Sequence, residues 1–261
     1  MKRITPNSIM TNIHYQHCFS EKHPHAVYNR EARQKKAKTI IAVLNDFLGT
    51  DFTSFSILDV GCSTGIMADY FSAYFDQVVG IDIDEPAVQY AKKNFVKDNI
   101  KFHMGDAMDI KFPKNSFDVV VCAHVYEHVP NAESLMTEIH RVLKPGGVCY
   151  FSAGNRLSVK EPHHNLPFLS VMPRFFAHRY MRIAGKGKSY YEKHLSYWGL
   201  KRLIRNFEQI DYTKRIIEKP KSFHADYMIR HGTMKSAFAR LMVNYAYWMC
   251  PSFIWLLRKT A

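Results

Sequence analysis

The chain has 261 residues and carries 36 Lys/Arg against 23 Asp/Glu, a net charge of +13. That length suits one α/β domain with insertions, and the charge points to an anionic partner: nucleic acid, an anionic membrane surface or a phosphorylated substrate. Cys18, Cys62, Cys122, Cys149 and Cys250 form no C-x-x-C pair, which argues against a disulfide scaffold or structural zinc site and suits a reducing cytosol; no secretory signal is expected.

Residues 1–29 are polar and rich in His and Tyr, among them His14, Tyr15, His17, His23, His25 and Tyr28. They read as an N-terminal arm able to close over a ligand, preceding a domain over 30–261. From Arg30 to Leu48, Ile40, Ile41, Leu44, Phe47 and Leu48 recur at helical spacing. The basic residues Arg30, Arg33, Lys35, Lys36 and Lys38 open this helix and read as a solvated face. An apolar run then meets Asp59, and Gly61 and Gly65 bracket a small-residue turn before a helix expected over 66–75. Strand, glycine turn and helix open a doubly wound sheet, where ligands sit beyond the strand carboxyl ends. The spacing is Gly-x-x-x-Gly, not the Gly-x-Gly-x-x-Gly of dinucleotide folds. Gln77–Asp82 reads as the second strand. Asp82 stands 21 positions after Gly61, where nucleotide-binding folds place a ribose acceptor. Asp84 is expected to cap the helix that starts at Glu85-Pro86.

A short third strand over 99–104 leads into Gly105-Asp106-Ala107. Phe117–Ala123, apolar throughout apart from Asp118, reads as a strand buried on both faces. It ends in His124-Val125-Tyr126-Glu127-His128-Val129. Asn131 is placed to cap a helix over 132–143, stopped by Lys144-Pro145-Gly146-Gly147 before a fifth strand over 148–153. Residues 155–205 form an insertion where a tight loop is expected, and loops this long are usually functional. Between Arg156 and Arg205 it holds eleven Lys/Arg against Glu161 and Glu192, with interleaved aromatics. A capped helix is expected over 196–207 and a strand over 209–217. Residues 241–257 hold no charged residue, but Asn244, Pro251 and Ser252 interrupt a membrane span. They read as part of an extra helix within 232–250, packed through Phe238, Leu241, Met242, Tyr245 and Met249, and a final antiparallel strand over 252–257.

Asp59 with Gly61 and Gly65, the acid at Asp82, Gly105-Asp106-Ala107, FDVVV, EHV and LKPGG resemble the class I S-adenosylmethionine (SAM) methyltransferases in their small-molecule "type 11" branch. The resemblance runs over about 55–155; Ser63 stands where a middle glycine is usual. It implies an α/β, doubly wound, seven-stranded Rossmann-like sheet with its last strand antiparallel. It also implies a SAM site drawn from Asp59, Gly61, Cys62, Gly65, Asp82, Ile83, Asp106, Ala107 and Ala123. Asp106 would accept from the adenine amine and the Ala107 backbone would address the ring edge. The base for an oxygen acceptor is expected at the end of the fourth strand, where His124 and His128 are the catalytic candidates, histidine being matched to neutral pH. His163, His164 and His194 are further base candidates. Ubiquinone-pathway O-methyltransferases, similar at Glu127-His128-Val129, carry an acid where His124 stands and use a divalent metal; with that acid changed, no metal is expected. Ala123-His124-Val125-Tyr126 also lacks the Asn/Asp-Pro-Pro-Tyr/Phe pattern of nucleobase N-methyltransferases. The expected function is methyl transfer from SAM to a small or lipid-linked acceptor at oxygen, of glycan, glycolipid or quinone-precursor type, in a cytoplasmic protein with peripheral contact to an anionic membrane face. A nucleic-acid methyltransferase using 156–205 is the alternative, and a non-catalytic nucleotide-binding protein ranks behind both.

Overall fold

The computed structural model describes residues 19–49, 51–161 and 163–260; His14, Tyr15 and His17 lie outside them. Two single-turn helices, α1 (Phe19–Lys22) and α2 (Pro24–Val27), precede α3 (Arg30–Leu48). There follow β1 (Ser56–Val60), α4 (Ile66–Phe71), β2 (Gln77–Asp82), α5 (Glu85–Asn94), β3 (Ile100–Met104), β4 (Phe117–Ala123), α6 (Ala132–Val142) and β5 (Leu143–Gly154). The insertion contributes α7 (Arg174–Ile183), and the chain continues through α8 (Tyr197–Leu203), β6 (Glu208–Asp211), α9 (Thr213–Glu218), α10 (Met234–Tyr245) and β7 (Ser252–Arg258).

The seven strands form one sheet in the order β3-β2-β1-β4-β5-β7-β6. Its first five strands run parallel and β7 is antiparallel to both β5 and β6. Side chains on a strand alternate between faces, and the two core layers follow that alternation. Ile57, Val119, Val121, Val148, Tyr150, Ile254 and Leu256 pack in one layer with Ile40 and Leu44 of α3. Leu58, Val60, Val120, Cys122, Phe151, Phe253 and Trp255 pack in the other with Leu135 and Ile139 of α6. Val119, Val120 and Val121 are fully buried because both faces of β4 are covered. Asn29 and Asn131 cap α3 and α6 by accepting from backbone amides of the first turn.

Several elements depart from expectation. The helix after the glycine turn stops at Phe71, and α6 ends at Val142 while Leu143 already pairs with Phe117, ahead of the glycines. The strand expected over 209–217 ends at Asp211, whose Oδ1 accepts from Thr213 N at 2.9 Å and turns the chain into α9. Its β-branched Ile216 and Ile217 read as strand, but burying Ile216 suits the helix. α10 buries Ser236 and Val243, leaving Phe238, Leu241 and Tyr245 outside; Met249, which sits in a 3-10 turn beyond the helix, is also exposed. The final antiparallel strand forms as expected.

Candidate active site

A cavity of about 430 Å³ opens beyond the carboxyl ends of β1, β2 and β4, within the size range of ligand pockets. Gly61, Ser63, Asp82, Ile83, Asp84, Asp106, Ala107, Ala123, His124, His128 and His163 are among its lining residues. Gly61 has a φ of +74°, and a Cβ there would stand 2.7 Å from Val125 Cγ2, so the turn requires glycine. Ser63 takes the left-handed region too, with a φ of 51°. That conformation aims its amide at Asp82 Oδ2, to which it donates at 2.7 Å. Asp82 Oδ1 accepts from Asp84 N at 2.9 Å. Burial pushes the Asp82 carboxyl up, while these amides oppose the shift.

Other expected cofactor residues lie off the cavity wall. Asp59 is buried beneath it, Cys62 packs against Gly80, and a Cβ on Gly65 would strike Ala91 and Phe102. These three shape the turn from behind. Asp84 stands before α5 without a side-chain capping bond, contrary to expectation, because its Oδ2 accepts from Ser20 N at 2.6 Å. With Thr64 Oγ1 donating to Val27 O at 2.8 Å, this bond fastens the described part of the arm over the cavity, where Phe19 and Val27 join the lining. Asp106 Oδ1 accepts from Met108 N at 2.8 Å, so the same side chain shapes a turn and faces the cavity.

Arg33 and Lys36, read from sequence as solvated, also line the cavity. Arg33 is half-buried, its Nε has no partner among the described residues, and Asp59 and Asp82 are its charged neighbours. A cavity with a carboxylate on the β2 side, a polar turn at Asp106 and two cations from α3 fits a nucleoside carrying a carboxylate tail, as SAM does. The two basic positions that face the cavity stand among three others that do not line it, all of one residue class, which is why the sequence alone missed them.

Another part of the cavity wall is built from the segment after β4 and from the insertion. His124 holds the left-handed region, φ 59°, and its Nδ1 lies 3.1 Å from Glu127 Oε1. Burial pushes the Glu127 carboxyl up, but the hydrogen bond and charge of His124, with the charges of His128 and His194, outweigh it and hold the group at about 2. Burial pulls His128 down to about 4. Its Nε2 lies 3.1 Å from Nε2 of His163, whose Nδ1 is 2.7 Å from the buried Glu161 carboxylate. His194 Nδ1 is 3.0 Å from Tyr190 Oη, and His164 Nε2 is 3.4 Å from Glu192 Oε2. The Tyr126 hydroxyl donates to Gly154 O and accepts from Leu195 N at 3.1 Å, tying the insertion to β5. The insertion's histidines stand some 30 residues or more from His124 and His128 in sequence, so only the fold brings them together.

A family model described as a methyltransferase domain matches residues 58–151. Demethylmenaquinone methyltransferase of Lactococcus lactis subsp. lactis is 37% identical over 131 residues, covering 47% of this chain and 52% of that protein. Sterol 24-C-methyltransferase of Pneumocystis carinii is 38% identical over 118 residues, covering 42% of this chain and 31% of that protein. The chain thus spans about half the length of the first of these curated relatives and less of the second. Among solved structures, an S-adenosylmethionine-dependent methyltransferase from Mesorhizobium loti superposes with a TM-score of 0.53 at 18% identity, covering 80% of this chain and 93% of that one. At that identity the likeness is one of fold. Along its middle, residues 58–151, the chain thus resembles methyltransferase domains, and the order of its sheet and the glycine turn at the carboxyl end of its first strand agree with the fold that this resemblance implies.

Proposed function

We propose that the protein transfers a methyl group to an oxygen of a small or lipid-linked acceptor. The observation that carries this reading is His124 on the cavity wall, held through Nδ1 by the buried Glu127 carboxylate. A base oriented by an acid is the arrangement that removes a hydroxyl proton. SAM supplies an already activated methyl group, so the chain's residues have mainly to bind and orient the reactants. Asp82 receives the ribose hydroxyls, Asp106 and Ala107 address the adenine, and Arg33 with Lys36 neutralises the carboxylate tail. His124 accepts the acceptor's proton, and His128 shapes the site beside it.

A lipid-like acceptor is supported by the names of the relatives, one acting on demethylmenaquinone and one on sterol. It is supported also by α7, which exposes Phe175, Phe176 and Ile183 beside Arg174, Arg179 and Arg182. Such a helix suits peripheral contact with an anionic membrane surface. The test is methyl transfer from labelled SAM across glycolipids, quinol precursors and RNA, with the methylated atom located by NMR. A methyl ether on a lipid-like product is expected. Methylated RNA, or a new carbon–carbon bond, overturns the reading.

A further inference from the structure

We propose that α10 and the two exposed tryptophans beside its end form a docking face for the surface of an anionic lipid bilayer. Met234, Phe238, Leu241 and Tyr245 stand at i, i+4, i+7 and i+11 of one helix, the spacing that puts side chains on one face. All four are exposed, Tyr245 by 83%. The helix packs through its other side, where Ser236 and Val243 are buried. The row continues past the helix end. Trp248, in the 3-10 turn Tyr247–Met249, lies with its ring centroid 5.5 Å from that of Trp198 on α8, the planes tilted by 32°. Both indoles stay on the surface, 40% and 59% exposed. Two separate stretches of chain thus gather six large apolar side chains in one place without burying them, and a patch of that kind marks an interaction site.

The charges around the ridge choose its occupant. Residues 227–261 contain Arg230, Lys235, Arg240, Arg258 and Lys259 and no Asp or Glu. Residues 193–207, which carry Trp198, are also free of acids and hold Lys193, Lys201, Arg202 and Arg205. A second copy of the chain would set cation against cation across the contact, with no carboxylate in either stretch to pair them, whereas anionic headgroups attract them. Phe and Leu in a row beside Lys and Arg are the pattern of a helix that lies in the plane of a bilayer surface. Tryptophan favours the headgroup level, where its ring is apolar and its N–H stays wet. The face lies along the bilayer and not across it, since no described helix is long and apolar enough to span one.

The tryptophans are fixed at the edge of the sheet where the cavity opens. Asn155, directly after β5, donates through Nδ2 to Trp248 O at 2.9 Å and to Cys250 O at 2.8 Å. Its backbone pairs with Leu195, three residues before Trp198. β5 runs parallel to β4, so its carboxyl end shares the edge beyond which the cavity lies. Docking there brings a lipid-linked acceptor to the open side of the molecule. That consequence rests on the proposed methyl transfer; the docking itself does not.

The chain carries its own probe. Its three tryptophans are Trp198, Trp248 and Trp255, and the last is fully buried in the core. The test is tryptophan fluorescence of the whole chain with phosphatidylglycerol vesicles whose acyl chains are brominated, beside brominated phosphatidylcholine vesicles. Quenching by the anionic vesicles is expected, and none by the neutral ones. Trp198→Phe with Trp248→Phe, which leaves Trp255 as the one indole, should still sediment with phosphatidylglycerol vesicles and lose the quenching. Phe238→Ser with Tyr245→Ser, at exposed positions whose replacement leaves the core intact, should weaken vesicle binding at least about 10-fold. Thermal melts show that each variant is folded. Binding to phosphatidylglycerol without quenching in the wild-type chain overturns this face and leaves peripheral contact to α7. An absence of vesicle binding overturns it too, as do dimers that Phe238→Ser with Tyr245→Ser dissociates, which would give the face to a second copy. A chain that docks in this way and methylates nothing overturns the proposed function alone, and one that methylates a lipid-linked acceptor without the quenching overturns the docking face alone.

Discussion

Asp82 accepts two backbone hydrogen bonds, from Ser63 and Asp84, on the same carboxylate proposed to hold the ribose. Asp82→Ala should therefore weaken SAM binding by roughly 1.5–3 kcal/mol per ligand bond lost, read by calorimetry on a variant shown to be folded; unchanged affinity would remove Asp82 from the ribose. His124 divides differently. His124→Ala should lower kcat by about 10²–10⁴-fold with SAM affinity kept, measured by turnover and titration side by side. Asp59 offers a test by pH. Burial lifts its carboxyl to about 7, with Arg33 pulling down and Asp82 adding to the lift, whereas unfolded it titrates near an ordinary value of about 3.9. Between those values the folded chain keeps a proton that the unfolded chain has released. Its contribution to stability is thus full below about pH 4, falls as the pH rises, and is lost above about pH 7. Asp59→Asn should flatten that slope in denaturant melts taken from pH 4 to pH 8.

At the scale of elements, α7 should govern the acceptor and leave SAM alone, since none of its residues lines the cavity. Reversing charge at Arg174, Arg179 and Arg182 should raise acceptor KM several-fold with SAM affinity intact; a collapse of SAM affinity instead would make the segment a lid over the cofactor. A steep loss of acceptor binding with salt would favour nucleic acid, through counterion release. What sequence could tell differed from one element to the next. β2 and β4 were legible to the residue, because interior parallel strands are apolar runs with sharp ends. The glycine turn was legible because backbone sterics demand small residues there. α10 was misread in its packing: Phe238, Leu241 and Tyr245 share a helical stripe, and spacing alone does not say whether a stripe faces a core or solvent. The histidine cluster was half legible. His124 and His128 sit at a recognisable strand end, whereas His163 and His194 reach them only because Tyr126 and the Glu127 carbonyl bind the insertion at Leu195 and Lys193.

For the molecule as a whole, no described helix is long and apolar enough to cross a membrane. Exposed Phe176 on α7 and Leu241 on α10, on a chain of net charge +13, suit adsorption to an anionic surface instead. The protein should co-float with phosphatidylglycerol vesicles and leave neutral ones unbound. Phe176→Asp with Leu241→Asp should reduce that binding about 10-fold or more, given the apolar area withdrawn. The position of β7 bears on how the molecule is made. It lies between β5 and β6, and Trp255 and Phe253 within it are fully buried. A chain leaving the ribosome from its amino end therefore presents β5 with a bare edge, and β6 with no strand beside it, until β7 emerges. Strand edges left open in this way invite pairing with other chains. Nascent copies stalled before Ser252 should need a chaperone's protection, because the sheet cannot close until β7 has been made.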